Sequence, residues 1–275
     1  MRTLVQLWYS PWSEKARWSL DHHKIPYKVR EHLPMVGEPL LRAQTGKWTG
    51  RVSVPVLLDM GQVFPESVAI AQHADRIGTG SKLFSNRDET LHWSDVSEKI
   101  LRGARASLLA RLLNDDEALM EALPPFIPDA AKRASIPVAV MATRFVEKKW
   151  VDANEIERLS RDVEAGLDEL RAAIKGGKTH LLGELSYADI AMATSLQMIS
   201  PVTSRAIPLG PATRRAWTSP ELAAKYPDLL DWRDSIYEKS RFESLSSRLV
   251  VGLERLRDLL QLVLVLGPRR SIAFA

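Results

Sequence analysis

The residue pattern changes near residue 80, and this change limits the folds that the chain can adopt. Up to residue 78, short runs of strand-forming residues alternate with helical stretches in the order strand, helix, strand, helix, hairpin, helix. After residue 86 the strand signals disappear and long stretches with helical spacing follow. We therefore predict an α/β domain with the order βαβαββα over residues 1–78, a linker over 79–85 and an all-helical domain over 86–246.

Gly, Pro and capping residues set the limits of the predicted elements. Strands are predicted at 3–9 and 27–31, helices at 11–23, 38–45 and 66–77, and a hairpin over 54–64. The later helices are predicted at 89–113, about 130–149, 153–174, 187–199 and 227–237. The segments 122–128 and 201–220 are rich in proline, so we predict loops or lids there.

The tail over 247–275 forms a separate C-terminal extension in this scheme. From Arg248 onward its leucines recur at helical spacing, and Gly267-Pro268 ends the pattern. An amphipathic helix of this kind usually fills a core or an interface. Its longest apolar run, over 262–266, is far shorter than the roughly 20 residues of a membrane span, so no span is predicted.

Charge and composition exclude several functions. The chain has 38 basic and 34 acidic residues without a basic stripe or nucleic-acid-binding module, which argues against nucleic acid as a partner. The N-terminus lacks the order of a secretory signal, and we expect a cytoplasmic protein. There are no cysteines, so the protein itself forms no disulfide, thiolate nucleophile or thiolate metal site. The six histidines show no metal-binding spacing, so no metal is expected.

Four motifs occur in an order that resembles one known family. They are YSPWSEKAR at 9–17, VPVL at 54–57, ESVAI at 66–70 and GELSYADIA at 183–191. Together they resemble the glutathione transferase superfamily, and its serine-type bacterial members in particular. The resemblance spans residues 3 to about 245. It implies a thioredoxin-like glutathione-binding domain followed by a helical-bundle domain.

The fourth motif has a structural explanation that requires no chemistry. Ser186 is placed to cap a helix, and Asp189 three residues later is placed to complete a capping box. Leu185 and Ile190 can form the accompanying hydrophobic contact. We therefore assign Asp189 no catalytic role.

Ser10 is the predicted catalytic residue. It lies where the first strand gives way to the first helix, and Pro11 suits the first helical position. The resemblance implies that a hydroxyl here donates a hydrogen bond to the sulfur of glutathione, which favours the nucleophilic thiolate. Ser10 could instead be only a helix cap, and Ser13, one turn further along, is the alternative for the sulfur contact.

The resemblance also implies the residues that bind the rest of glutathione. Val54 and Pro55 resemble the cis-proline step whose backbone pairs with the cysteinyl unit, and Glu66 with Ser67 resembles the pair that holds the γ-glutamyl end. Basic residues before the cis-proline loop would meet the glycyl carboxylate; these are Lys47 and Arg51.

A second substrate would lie between the two domains, in an apolar pocket consistent with the eight tryptophans. The candidate residues are Trp8, Trp12, Trp93, Arg102, Arg105 and Phe126. The implied activity is conjugation of glutathione, as co-substrate, to an electrophilic apolar molecule, typical of detoxification, in a homodimer. A glutathione-dependent isomerase or lyase remains open, and so does a non-catalytic ligand-binding or scaffolding module.

Overall fold

The chain folds into a small α/β domain followed by a helical domain. A computed structural model describes residues 2–123, 127–202, 207 and 209–242. The strands are β1 (Thr3–Gln6), β2 (Lys28–Glu31), β3 (Val56–Asp59) and β4 (Gln62–Pro65). The helices of this domain are α1 (Pro11–His22), α2 (Glu38–Thr45) and α3 (Ser67–Ile77). The predicted βαβαββα order is confirmed, although β1 ends at Gln6 and not at residue 9.

The four strands form one mixed sheet in the order β2-β1-β3-β4. β1 runs parallel to β2 and antiparallel to β3, and β3 pairs antiparallel with β4. Alternate residues of β1 serve opposite faces of the sheet. Leu4 packs among residues of α1 and α3, whereas Val5 packs with Leu41 of α2. The sheet is therefore covered on both faces.

The second domain is built from helices only within the described residues. They are α4 (Arg87–Leu113), α5 (Asp116–Glu121), α6 (Asp129–Lys132), α7 (Ile136–Trp150), α8 (Ile156–Ala173), α9 (Tyr187–Ser195), α10 (Pro211–Trp217), α11 (Pro220–Lys225) and α12 (Pro227–Ile236). Short 3₁₀ turns precede α7 and α8 and follow α9, and a π-helical turn, Tyr237–Arg241, follows α12. All nine residues of α9 are buried, so this helix lies at the centre of the domain core.

The start of α9 confirms the predicted capping box. Both the N–H and the hydroxyl of Ser186 donate to the Asp189 carboxylate, at 2.9 and 2.8 Å. The N–H of Leu181 donates to the same carboxylate at 2.8 Å. Asp189 is thus fully occupied by structural hydrogen bonds.

Two sequence predictions for this domain are wrong. The segment 201–220, predicted as a loop, contains α10, and the stretch 130–149 is interrupted by a 3₁₀ turn before α7. Proline is the common cause, because Pro211, Pro220 and Pro137 lie in the first positions of new helices, where proline is well tolerated. Two short helices, α5 and α11, are not among the predicted elements. Phe126 and the extension over 247–275 lie outside the described residues.

Candidate functional site

The motifs of the α/β domain converge on one edge of the sheet. Val56 pairs with Val5 of β1 on one side and with Pro65 of β4 on the other. The end of β1, the start of β3 and the end of β4 therefore lie side by side. Ser10, Val54 and Glu66 each follow or precede one of these strand ends by a few residues, so the fold brings the predicted glutathione-binding segments together.

Ser10 occupies the N-cap position of α1 in an extended conformation, with φ −74° and ψ 128°. Its N–H donates to the carbonyl of Leu7 at 3.1 Å, which closes the turn between strand and helix. Its side chain makes no capping hydrogen bond to the helix, and 7% of the surface of the residue is exposed to solvent. The hydroxyl is therefore not used as a cap.

Ser13, the alternative, is in a different position. It is completely buried, and its hydroxyl oxygen accepts a hydrogen bond from the N–H of Leu7 at 3.2 Å. A substrate atom could reach this oxygen only if the turn opened. The geometry favours Ser10 over Ser13 for any contact with a bound ligand.

The peptide bond between Val54 and Pro55 is cis. Val54 precedes the β1–β3 ladder, so its main-chain groups take no part in the described sheet pairing. The carbonyl of Pro55 accepts a hydrogen bond from the N–H of Glu66 at 3.1 Å. This bond ties the cis-proline turn directly to the start of α3.

Glu66 holds an unusual backbone conformation. Its φ of 67° and ψ of 151° lie in a region that only glycine adopts without strain, at a cost on the order of 1–3 kcal/mol. The residue is exposed and its side chain forms no capping bond. Ser67, the first residue of α3, is buried beside it. Strain of this kind concentrates at functional sites, and here it occurs at an exposed glutamate at the start of a helix.

The two basic residues predicted for the glycyl carboxylate lie on the loop after α2. Arg42 braces this loop by donating to the carbonyls of Lys47 and Gly50, at 3.2 and 2.9 Å. Lys47 and Arg51 are both exposed. The Arg51 guanidinium lies 5.6 Å from the ring centroid of Trp150, so this loop meets the end of α7.

The residues predicted for the second substrate differ in how deeply they are buried and in what they contact. Trp8 and Trp12 are half-buried against the helical domain, whereas Trp93 is buried in its core, where packing accounts for it. Arg102 is exposed on α4, and Arg105, one turn later, lies with its guanidinium 4.2 Å from the Trp12 ring centroid. The structure thus joins Trp12 and Arg105 across the boundary between the domains.

Glu98 of α4 holds α1 at this boundary. Its carboxylate accepts hydrogen bonds from the Trp12 indole at 2.8 Å and from the ammonium of Lys15 at 3.0 Å. Burial alone would raise the pKa of Glu98, but Lys15 and Trp12 outweigh it and hold the pKa below its usual value. Glu98 therefore carries a negative charge that is committed to the neighbouring helix.

Sequence analysis missed three residues of this region, namely Glu98, Trp150 and Tyr9. Tyr9 lies edge-on to Trp8 and Trp217, and burial followed by the carboxylate of Glu31 raises the pKa of Tyr9 to about 12. Its hydroxyl is therefore protonated at neutral pH. Glu98 and Trp150 carry no local motif, because their partners lie far away in the sequence. The high tryptophan content was the only sequence feature that indicated an aromatic region between the domains.

Two findings limit other kinds of site. Among the described residues, no group of three or more histidine, aspartate or glutamate side chains is arranged to hold a metal ion. Within the same part of the chain, no helix is both long and apolar enough to cross a membrane.

Comparison with known proteins identifies the fold. Residues 9–77 match the family described as glutathione S-transferase, N-terminal domain. Similar solved structures are a glutathione S-transferase from Methylobacillus flagellatus with glutathione bound, a possible glutathione S-transferase from Rhodopseudomonas palustris, and a glutathione S-transferase from Methylobacterium radiotolerans in complex with glutathione sulfonate. No curated protein matches the chain in sequence.

These structural relatives are similar along nearly the whole chain. In the order given, they have TM-scores of 0.54, 0.55 and 0.55, and each is 18% identical to this sequence. They cover 88, 87 and 88% of this chain, and the chain covers 98, 94 and 92% of theirs. Residues 9–77 therefore resemble the N-terminal domain of glutathione S-transferases. The chain as a whole has the thioredoxin-like plus helical fold of the glutathione transferases.

Proposed function

We propose that the protein is a glutathione transferase that conjugates glutathione to an electrophilic, largely apolar small molecule. One observation carries the proposal. The uncommitted hydroxyl of Ser10, the cis-proline step at Val54 and the exposed Glu66 share one edge of the sheet. Two structural relatives were crystallised with glutathione or glutathione sulfonate, which supports the same ligand here.

The Ser10 hydroxyl is proposed to donate a hydrogen bond to the sulfur of glutathione. Ser10 occupies the N-cap position of α1, and the unpaired N–H groups of a helix start favour negative charge. Both effects stabilise the thiolate over the thiol. A thiol with an ordinary pKa near 8.5 needs a depression of only about one to two units to be mostly ionised at neutral pH.

The other predicted residues hold the tripeptide. The main chain of Val54 pairs with the cysteinyl unit as an added strand would, and Glu66 with Ser67 binds the γ-glutamyl end at the start of α3. Lys47 and Arg51 supply positive charge for the glycyl carboxylate. These contacts fix the sulfur beside Ser10, so the reaction becomes a displacement between positioned groups.

In the proposed reaction the glutathione sulfur attacks the electrophilic carbon of the second substrate. A carbon–sulfur bond forms, and the leaving group departs with its electron pair; for an aryl halide it leaves as halide. The proton lost from the thiol passes to solvent. No protein thiol is required, which fits a chain without cysteine.

Two measurements test this function. Isothermal calorimetry measures glutathione binding, and conjugation of a generic aryl halide is then compared between the wild type and Ser10→Ala. We expect binding in both proteins and slower conjugation in the variant. Absence of glutathione binding would rule out the enzyme, whereas binding without turnover would identify a ligand-binding module. A homodimer in the cytoplasm is expected, and light scattering measures the oligomeric state.

A further inference from the structure

We propose that the protein selects aromatic second substrates that carry an anionic group, a carboxylate or a sulfonate, which pairs with Arg105 at the boundary between the domains. This inference rests on the proposed function, since it specifies the second substrate of that reaction. It modifies the expectation of a purely apolar substrate.

Arg105 lies between two tryptophans that come from different parts of the fold. Its guanidinium carbon is 4.2 Å from the ring centroid of Trp12 at the start of α1, and 5.1 Å from that of Trp150 at the end of α7. A planar guanidinium stacks well on aromatic faces and still presents its N–H groups at the edge. The two rings thus orient Arg105, and both tryptophans remain partly exposed to solvent.

The Arg105 guanidinium has no hydrogen bond or ion pair with any residue that the structure describes. Burial is the main cause that lowers the pKa of Arg105, to about 10, so the side chain is still charged at neutral pH. A cation that is largely removed from water without a partner is costly, and an anion at the same place compensates for that cost. The arrangement is that of a cation that lacks its counter-ion.

Glu98 is the nearest source of negative charge, and its charge raises the pKa of Arg105, whereas Arg102, one turn away on α4, has a smaller effect and lowers it. The Glu98 carboxylate, however, accepts its hydrogen bonds from Lys15 and Trp12. Within the described part of the chain, the Arg105 guanidinium therefore has no carboxylate in hydrogen-bond contact.

Two further basic groups contact the Trp150 ring. Lys149 lies with its ammonium 5.4 Å from the ring centroid, but Glu38 of α2 compensates its charge. Arg51 contacts the same ring from the loop after α2. Arg51 therefore brings positive charge from the predicted glycyl carboxylate site to the ring that Arg105 also contacts.

Position favours the second substrate over glutathione as the source of the anion. Trp12 lies two residues after Ser10 on α1, so a ring placed against Trp12 is close to the proposed sulfur site. The basic residues predicted for glutathione itself, Lys47 and Arg51, lie on a different element. An aromatic electrophile can therefore place its ring between sulfur and guanidinium, with its acidic group at Arg105.

The test uses two matched electrophiles, a chloronitrobenzoate and its uncharged amide, with wild type and Arg105→Met. In both reactions the glutathione sulfur displaces chloride. The ratio of kcat/KM for the acid to that for the amide is measured in each protein, so that the different intrinsic reactivities cancel when the two ratios are compared. We expect this ratio to fall about tenfold or more in Arg105→Met, because a charge-assisted hydrogen bond is lost.

Two further variants control the result. Arg105→Lys keeps the charge without the planar fork and should fall between wild type and Arg105→Met. Arg87→Met removes an exposed positive charge from the same helix, about 27 Å away along its axis, and should leave the ratio unchanged. An equal ratio in wild type and Arg105→Met overturns the proposal. If KM for glutathione instead rises with both electrophiles, Arg105 binds the glycyl carboxylate, and the proposal is equally overturned.

A binding experiment separates this inference from the proposed function. If neither electrophile reacts, the transferase activity is refuted, but the anion site is still measurable. Naphthoate and naphthamide are titrated in the presence of glutathione, with the quenching of tryptophan fluorescence as the signal. We expect naphthoate to bind at least about tenfold more tightly to wild type, and the difference to vanish in Arg105→Met. Equal affinities in wild type refute the anion site.

Discussion

The guanidinium of Arg241 lies 2.7 Å from a carboxylate oxygen of Glu14 and joins the end of the helical domain to α1. A second nitrogen of the same guanidinium donates to Asp21 at 2.8 Å. All three side chains are almost completely buried. Because Glu14 lies one turn after Ser10, this ion pair fixes the helix whose N-terminus carries the proposed catalytic hydroxyl.

Arg241→Met is expected to destabilise the protein by about 3–5 kcal/mol, since it removes the buried positive charge that pairs with both Glu14 and Asp21. Urea denaturation measures the change. Arg171→Met is the matched control, because Arg171 pairs with Asp228 at the surface and such pairs contribute less than about 1 kcal/mol. Similar losses in the two variants would contradict a structural role for the buried pair.

The Glu14 contact predicts a specific pH dependence of stability. Burial alone would raise the pKa of Glu14, but Arg241 and Arg17 outweigh it and hold the pKa below its usual value. Because the pKa of Glu14 is lower in the folded protein than in the unfolded chain, its ionised form adds to the free energy of unfolding. This contribution is complete above the unfolded-state pKa of about 4.3 and is lost as the pH falls through the folded-state pKa.

Glu14→Gln removes this titration. The difference in unfolding free energy between wild type and Glu14→Gln should be largest at neutral pH and should shrink as the pH drops below about 4.3. Urea titrations at a series of pH values measure it. A difference that stays constant into the acidic range would show that Glu14 is not ionised in the folded protein.

The strained backbone of Glu66 predicts opposite effects on stability and binding. Glu66→Gly removes the strain of a positive φ but adds chain entropy to the unfolded state, for a net stabilisation of about 1 kcal/mol. Glutathione binding should weaken because the carboxylate is lost. Glu66→Gln keeps the strain, so it should weaken binding with a change in stability below about 0.5 kcal/mol. Thermal unfolding and calorimetry measure both quantities, and a less stable Glu66→Gly would refute the interpretation.

The capping box at the start of α9 predicts a purely structural effect. Ser186→Ala should cost about 1 kcal/mol, because Ser186 loses its bond to the buried Asp189. Asn86→Ala at the exposed start of α4 should cost less, since its capping bond is longer, at 3.4 Å. Glutathione affinity should be unchanged in both. A folded Ser186→Ala variant that no longer binds glutathione would assign this motif a direct role in the site.

Much of the α/β domain could be predicted because its signals are local. The bounds of α2 agree with the predicted 38–45, and the cis-proline and the hairpin follow from short motifs. The failures have an equally local cause. Pro211 and Pro220 were interpreted as loop residues, although proline is also a favourable first residue of a helix.

The contacts between the domains could be predicted only in part. Trp12 and Arg105 are both candidates from the sequence, but the contact between them depends on how α1 packs against α4. The partners Glu98 and Trp150 have no local signature, since their importance arises from residues of other elements. That Arg105 forms no ion pair with any described residue is likewise a property of the packed structure and not of any sequence motif.

If the Ser10 hydroxyl stabilises the thiolate of bound glutathione, the pKa of the bound thiol depends on this residue. Ultraviolet absorbance of the thiolate is followed against pH in wild type, Ser10→Ala and Ser13→Ala. We expect a pKa about one to two units below the free value near 8.5 in wild type and in a folded Ser13→Ala variant, with a return toward 8.5 in Ser10→Ala. An unchanged, low thiol pKa in Ser10→Ala would contradict this role and assign the stabilisation to other donors.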